Sequence, residues 1–411
     1  MMRMPTLSLV GLSALALAGV VGPASAQTEI NVIVAHFSDN TVVTFQNAAK
    51  RFEAANPGIK VNIEDVSWDN LQQRLATDIA GGTSADISII ATRWVLDYAN
   101  NDIAEPLDSY ITPEFRSRFY ENLITPGVVE GQTYLLPILA STRVLYYNKD
   151  LYTKAGVETA PKTWDELLEV SAKVKEAGEG AYGFGIQGKE IETDTYWYYP
   201  FWSYGGEIVD GGKSGLASEA GVKATELYKS LIDKGLSQPS PTGSNRQDIE
   251  TLFKQGRVGA IVSGPWLRGQ IASEAASLNY GMAAVPTGTQ QATWGGTDSV
   301  MLFKSSKNKE AAWKFIEEGV FSTETRLEFT LTEGFLPVLK EEMDDPRLAG
   351  DESLKIFAEM LPVAKFAPLI PEWEQVVAIT ISALQQVYLG QTDAKTALES
   401  VAGQIDGLIA Q

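Results

Sequence analysis

Asp86-Ile87-Ser88-Ile89-Ile90-Ala91 is a short, almost wholly apolar run that begins soon after a Gly81-Gly82 stop. A segment of that length and character is the kind of strand found inside a parallel sheet with both faces covered. Upstream, residues 30–35 form a strand pattern, and residues 44–55 form a helix pattern with Phe45, Ala49 and Phe52 on one face. Asn56-Pro57-Gly58 stops that helix. A second strand at 60–66 and a second amphipathic helix at 70–80 follow, so the order is β-α-β-α-β and the expected fold class is α/β.

Downstream, a strand is predicted at 143–147 and a helix beginning at Thr163, where Thr163-Trp164-Asp165-Glu166 has capping-box spacing. Further helices are predicted at 217–234, 248–255 and 309–318, short strands at 258–262 and 300–303, and a largely helical tail at 354–409. The chain has 411 residues and 44% hydrophobic content. Single cores rarely grow past about 250–300 residues, so two lobes are expected, the second beginning near residue 139 after a crossing.

Residues 1–26 carry Arg3, an apolar stretch at 7–21 and Ala24-Ser25-Ala26 before Gln27, the layout of a cleavable export signal cut after Ala26. The apolar stretch is short of the ~20 residues that span a bilayer. A soluble, monomeric periplasmic product is expected. With no cysteine, neither disulfides nor thiolate metal sites hold it together. A formal charge of -19 repels nucleic acid and anionic lipid, so neither is an expected partner.

His36 is the sole histidine. A catalytic triad would have to be centred on it, and a His-rich zinc site is excluded. There is no nucleophile-elbow, Walker or dinucleotide-binding glycine pattern. No cofactor and no metal are expected. Asp39, Asp69, Asp86 and Asp298 lie near predicted strand or loop ends and offer one enzymatic alternative, a glycosidase or lyase carboxylate pair.

Aromatic and polar residues gather where strands end, the place where open α/β sheets bind ligands. His36, Phe37, Ser38 and Asp39 follow the first strand, Trp68 and Asp69 the second, and Arg93 and Trp94 the third. Ser263-Gly264-Pro265-Trp266 follows the strand at 258–262, and Trp294-Gly295-Gly296-Thr297-Asp298 precedes that at 300–303. Trp164 and Trp313 fall inside amphipathic helices and are expected to pack. Six of the residues from Tyr196-Trp197-Tyr198-Tyr199-Pro200-Phe201-Trp202 are aromatic, and Gly205-Gly206 follows. Proline suits a helix's first turn, so a helix is expected to start close to Pro200, with Trp197, Tyr198 and Tyr199 at its ligand end and Phe201 and Tyr204 in the core.

Several segments together resemble the extracellular solute-binding proteins of ABC importers, in the sugar-binding branch typified by maltose-binding protein. They are Leu145-Tyr146-Tyr147-Asn148-Lys149-Asp150-Leu151-Tyr152, Pro161-Lys162-Thr163-Trp164-Asp165-Glu166-Leu167, Phe253 through Gly256 to Ala260, Gly264-Pro265-Trp266, Gly295-Gly296, Glu310-Ala311-Ala312-Trp313-Lys314-Phe315-Ile316 and Gly334-Phe335-Leu336-Pro337.

The resemblance implies a two-lobed periplasmic-binding-protein fold of type II. Each lobe would hold a mixed, mainly parallel sheet flanked by helices, with the ligand cleft between lobes. The crossings would fall near 137–142, near 284–287 and near 335–340, with Thr142 and Phe335 in them expected to contact the ligand. The lobes would comprise 27–138 with 287–336, and 139–286 with 337–411.

The same resemblance makes Trp266 the stacking tryptophan and brings Trp373, after Pro371, toward the cleft. Arg93 and Trp94 depart from the family's usual acidic residue and arginine at their turn. That departure points away from a simple maltodextrin and toward a smaller or partly anionic sugar, with Arg93 as a fork for an acidic group. The implied function is capture of a mono- or oligosaccharide and its delivery to a membrane permease by lobe closure, without catalysis.

Overall fold

The computed structural model describes Met1 and residues 27–178, 180–189, 193–368, 370 and 372–409. The export segment up to Ala26, and Pro371, lie outside the described residues. The first sheet runs in the order Ile59–Ser67, Thr28–His36, Ile87–Ala91, Gly296–Leu302, Leu135–Ser141. Thr28–His36 pairs in parallel with both its neighbours, and Gly296–Leu302 runs antiparallel to Ile87–Ala91 and Leu135–Ser141. The second sheet has the order Tyr280–Ala283, Val144–Asn148, Val258–Ser263, Tyr182–Phe184.

In that second sheet, parallel pairing joins Val258–Ser263 to Tyr182–Phe184, while Val144–Asn148 is antiparallel to both its neighbours. The sheets are therefore mixed and mainly parallel in strand direction, as expected: one strand in each, Gly296–Leu302 in the first and Val144–Asn148 in the second, runs against the others.

Local chemistry explains the elements. Helix Asp39–Ala55 buries Thr41, Thr44, Phe45, Ala48, Ala49 and Phe52, a stripe at helical spacing, against the first sheet. Its cap is reciprocal: Ser38 Oγ accepts from Asn40 N, and Thr41 Oγ1 accepts from Ser38 N at 3.0 Å. At Thr163, Oγ1 accepts from Glu166 N at 3.1 Å, but the Glu166 carboxylate takes the N–H of Lys162. Helix Trp164–Ala177 lies on Tyr182–Phe184 so closely that a Cβ on Gly183 would stand 2.3 Å from Ser171 Cα. Trp164 and Trp313 are buried packing residues.

Two expectations need correction. The helix carrying the aromatic run starts at Thr193 and continues to Ser203 with Pro200 inside it. Pro200 supplies no N–H to the carbonyl of Tyr196, but the Tyr228 hydroxyl donates to that carbonyl at 2.7 Å, which removes the usual penalty of an unpaired acceptor.

Residues 335–340, expected to leave the first lobe, stay beside the first sheet. Leu336 bridges to Ala140 and Leu339 to Phe119, and buried Glu342 then pairs with buried Arg326 at 3.3 Å. The strand expected to cross near 137–142 continues through Ser141, and Thr142 and Arg143 connect it to Val144–Asn148.

Candidate functional site

The registers bring the relevant strand ends to one place. The carboxyl ends of the three parallel strands of the first sheet lead to Phe37, Trp68 and Thr92-Arg93-Trp94. Gly296 pairs with Ser141, and Asp298 with Ala91, so the amino end of Gly296–Leu302 joins them. Ser263 pairs with Val144, which sets Arg143 beside the turn that leads to Trp266.

The result is a cavity between the two sheets with a volume of about 110 Å³. Of the residues expected there, Phe37, Trp68, Asp69, Arg93, Trp94, Trp266, Trp294, Gly295, Gly296 and Asp298 line it.

Trp266 is the centre of the wall. Its Nε1 donates to Glu250 Oε1 at 2.8 Å, and the guanidinium carbons of Arg143 and Arg246 lie 4.7 and 4.8 Å from its ring. Buried Glu250 also accepts from Ser263 Oγ at 2.7 Å and from Arg246 Nη1 at 3.4 Å. The ring's orientation depends on Gly264, where a Cβ would stand 2.0 Å from it. Gly264 thus acts from behind, and its carbonyl accepts from Tyr146 Oη at 2.7 Å.

Phe335 also stands behind, 5.9 Å from Trp266 and 5.0 Å from Phe37. Contacts that span the gap between the two sides include Asn245 Nδ2 donating to Asp69 Oδ2 at 2.9 Å and Arg93 Nε lying 3.4 Å from Glu374 Oε1. Next to Arg93, burial first and then Glu374 and Glu372 raise the pKa of Asp97 above its ordinary value.

The other expected residues lie away from the cavity. His36 Nδ1 pairs with Asp65 Oδ2 at 2.7 Å, and that hydrogen bond raises the imidazole pKa. Ser38 caps its helix and donates to Glu333, whose carboxyl burial pushes above the ordinary range, and Asp39 opens the same helix. Thr142 Oγ1 donates to Phe357 O at 2.7 Å.

Trp197 is buried, stacks on Phe201 at 4.6 Å and donates to Thr225. Tyr198 is fully buried in a stack with Trp202, Trp294 and Trp373 at 5.1, 5.9 and 6.2 Å. Tyr199 reaches a water-sized hollow of about 10 Å³ behind Trp266. The aromatic run and Trp373 are therefore a rigid backing for Trp294, whose side chain does line the cavity. Asp86, one of the carboxylates considered for catalysis, accepts from Asn31 N and Ser306 Oγ and is structural.

Lining residues that sequence reasoning passed over include Ser141, Arg143, Thr195, Arg246, Gln247 and Phe366. Arg246 and Gln247 open a helix whose Asn245 and Asp248 form a capping box, a pattern visible in Asn245-Arg246-Gln247-Asp248. Among the described residues no group of His, Cys, Asp and Glu is placed to hold a metal, and no helix is long and apolar enough to cross a membrane.

Residues 38–318 match the model of the family described as bacterial extracellular solute-binding protein. A Brucella abortus (strain 2308) protein, whose name gives binding without a ligand as its expected role, is 48% identical over 98% of this chain and 97% of its own. The maltotriose-binding protein of Pyrococcus abyssi (strain GE5 / Orsay) is 26% identical over 83% of this chain and 73% of its own. Among solved structures, an ABC transporter solute-binding protein from Thermotoga lettingae TMO bound with alpha-D-tagatose superposes with a TM-score of 0.86 at 25% identity, covering 93% of this chain and 100% of its own.

Proposed function

Since the chain belongs to the bacterial extracellular solute-binding proteins, we propose that it captures a saccharide in the cavity between its two sheets and presents it to the membrane subunits of an ABC importer. The observation that carries this is the composition of the wall. Trp68, Trp94, Trp266 and Trp294 offer flat apolar faces, while Asp69, Arg143, Arg246 and Asp298 offer acceptors and donors at the same cavity. Sugar rings have an apolar C–H face and a rim of hydroxyls, so they need both kinds of group.

Capture requires no covalent chemistry. A solute that touches both lobes favours the closed state by its differential affinity, and the closed state is what a permease can recognise. The lobes are taken as 27–138 with 287–336 and 139–286 with 337–411, with the last boundary moved to lie between Glu342 and Phe357. The working form is a soluble periplasmic monomer, released by cleavage after Ala26.

Titration with saccharides is expected to give a saturable change in tryptophan emission. Trp266→Ala is expected to fold, yet bind at least about 10-fold more weakly, in line with loss of a buried aromatic anchor. Unchanged affinity in that variant would remove Trp266 from the site. Incubation of stoichiometric protein with its saccharide is expected to return the sugar intact; product would favour the glycosidase or lyase alternative.

A further inference from the structure

Arg143 differs from the other two arginines of the cavity. Arg246 has Glu250 as its carboxylate partner, and Arg93 has Glu374. Arg143 is 8% exposed and lines the cavity, its Nη1 donates to Ser141 Oγ at 2.8 Å, and its guanidinium lies over Trp266. Among the described residues no carboxylate forms an ion pair with it. A guanidinium has five N–H donors, and Arg143 directs one of them to a neutral hydroxyl. A charge withdrawn from water to that extent is stable only with a partner of opposite sign, and the open side of this one is the cavity.

We infer that the solute is a hydroxylated anion, a sugar-sized body bearing a carboxylate or phosphate group, whose acidic oxygens pair with Arg143 beside Trp266. This rests on the sugar-binding reading above and assigns the acidic group to Arg143 instead of Arg93. A planar fork over an aromatic ring suits two oxygens of one acidic group, which a neutral hydroxyl cannot supply.

Calorimetric titration of the purified protein tests this with matched sugars: glucose, glucuronate and glucose 6-phosphate; galactose and galacturonate; and maltotriose as a neutral oligosaccharide. At least one acidic sugar is expected to bind about 10-fold or more tightly than its neutral parent, and the carboxylate and phosphate arms identify which acid is preferred. Arg143→Gln is expected to weaken that acidic sugar by about 10- to 100-fold and to leave little preference over the parent.

Arg143→Lys, which keeps the charge and the fold's need for it, is expected to retain part of the preference while losing the bidentate geometry. Thermal midpoints of both variants establish that they are folded. Neutral sugars binding as tightly as acidic ones, or an acidic sugar bound equally well by Arg143→Gln, would overturn the inference and leave the sugar-binding reading standing. Failure of every sugar, neutral and acidic, to bind would overturn both.

Discussion

His36 is the chain's sole histidine. Its Nδ1 lies 2.7 Å from Asp65 Oδ2, and the hydrogen bond to that carboxylate raises its pKa above 6.5. The charged imidazole is thus favoured in the folded state. Its contribution to stability is fully present below the unfolded value of 6.5 and is lost as pH rises through the higher folded value. The denaturant midpoint is therefore expected to fall as pH rises above 6.5 and through the raised folded value, and His36→Gln to flatten that part of the profile. An identical slope in His36→Gln would show that another group is responsible.

At this scale the sequence was legible by neighbourhood but not by parity. Thr142 was expected in the cleft, whereas its neighbour Arg143 lines the cavity. Successive side chains of an extended segment point to opposite faces, so a shift of one residue exchanges a site residue for a core residue. His36 and Phe37 were both expected at the site, and at the end of the first strand only Phe37 lines the cavity. Trp266 was identifiable because Gly264-Pro265 fixes the turn that presents it.

The helix Thr193–Ser203 shows how tertiary contacts override a local rule. Pro200 marks a helix start in isolation, and nothing near it in sequence reveals that Tyr228 will donate to the carbonyl of Tyr196. Tyr228→Phe should leave that carbonyl buried without a partner and cost about 1–3 kcal/mol, measured by urea denaturation. In a Pro200→Ala background an N–H is restored, so the cost of Tyr228→Phe should shrink; an equal cost in both backgrounds would show that the hydroxyl serves something else.

The aromatic run of this helix is core. Tyr198 stacks on Trp202, Trp294 and Trp373, and of these only Trp294 lines the cavity. Density of aromatics marked the right region, but burial assigned them to rigidity instead of contact. Helix and strand positions elsewhere were legible from periodicity. Which strand of the second sheet runs against the others was not, because the reversal of Val144–Asn148 rests on pairings with Val258–Ser263 and Tyr280–Ala283, far away in sequence.

Two sheets, a connection at Thr142-Arg143 and a cavity between them form one machine in this account. Asp69 with Asn245, and Arg93 with Glu374, already connect its two sides. A bound solute adds contacts to both sides, so binding should shift the population toward a more compact form. The family and its two-lobed fold were legible because several motifs keep their order and spacing along the chain. The last lobe boundary was not, since the contacts of Leu336, Leu339 and Glu342 with the first lobe link residues far apart in sequence.

Compaction on binding is the most direct test of the whole. Small-angle X-ray scattering of the protein, alone and with neutral and acidic saccharides, should show a smaller radius of gyration with the sugar it binds, and in Trp266→Ala the same change only at about 10-fold or more higher saccharide concentration. Scattering curves unchanged by every saccharide, or compaction produced by amino acids in their place, would contradict the account.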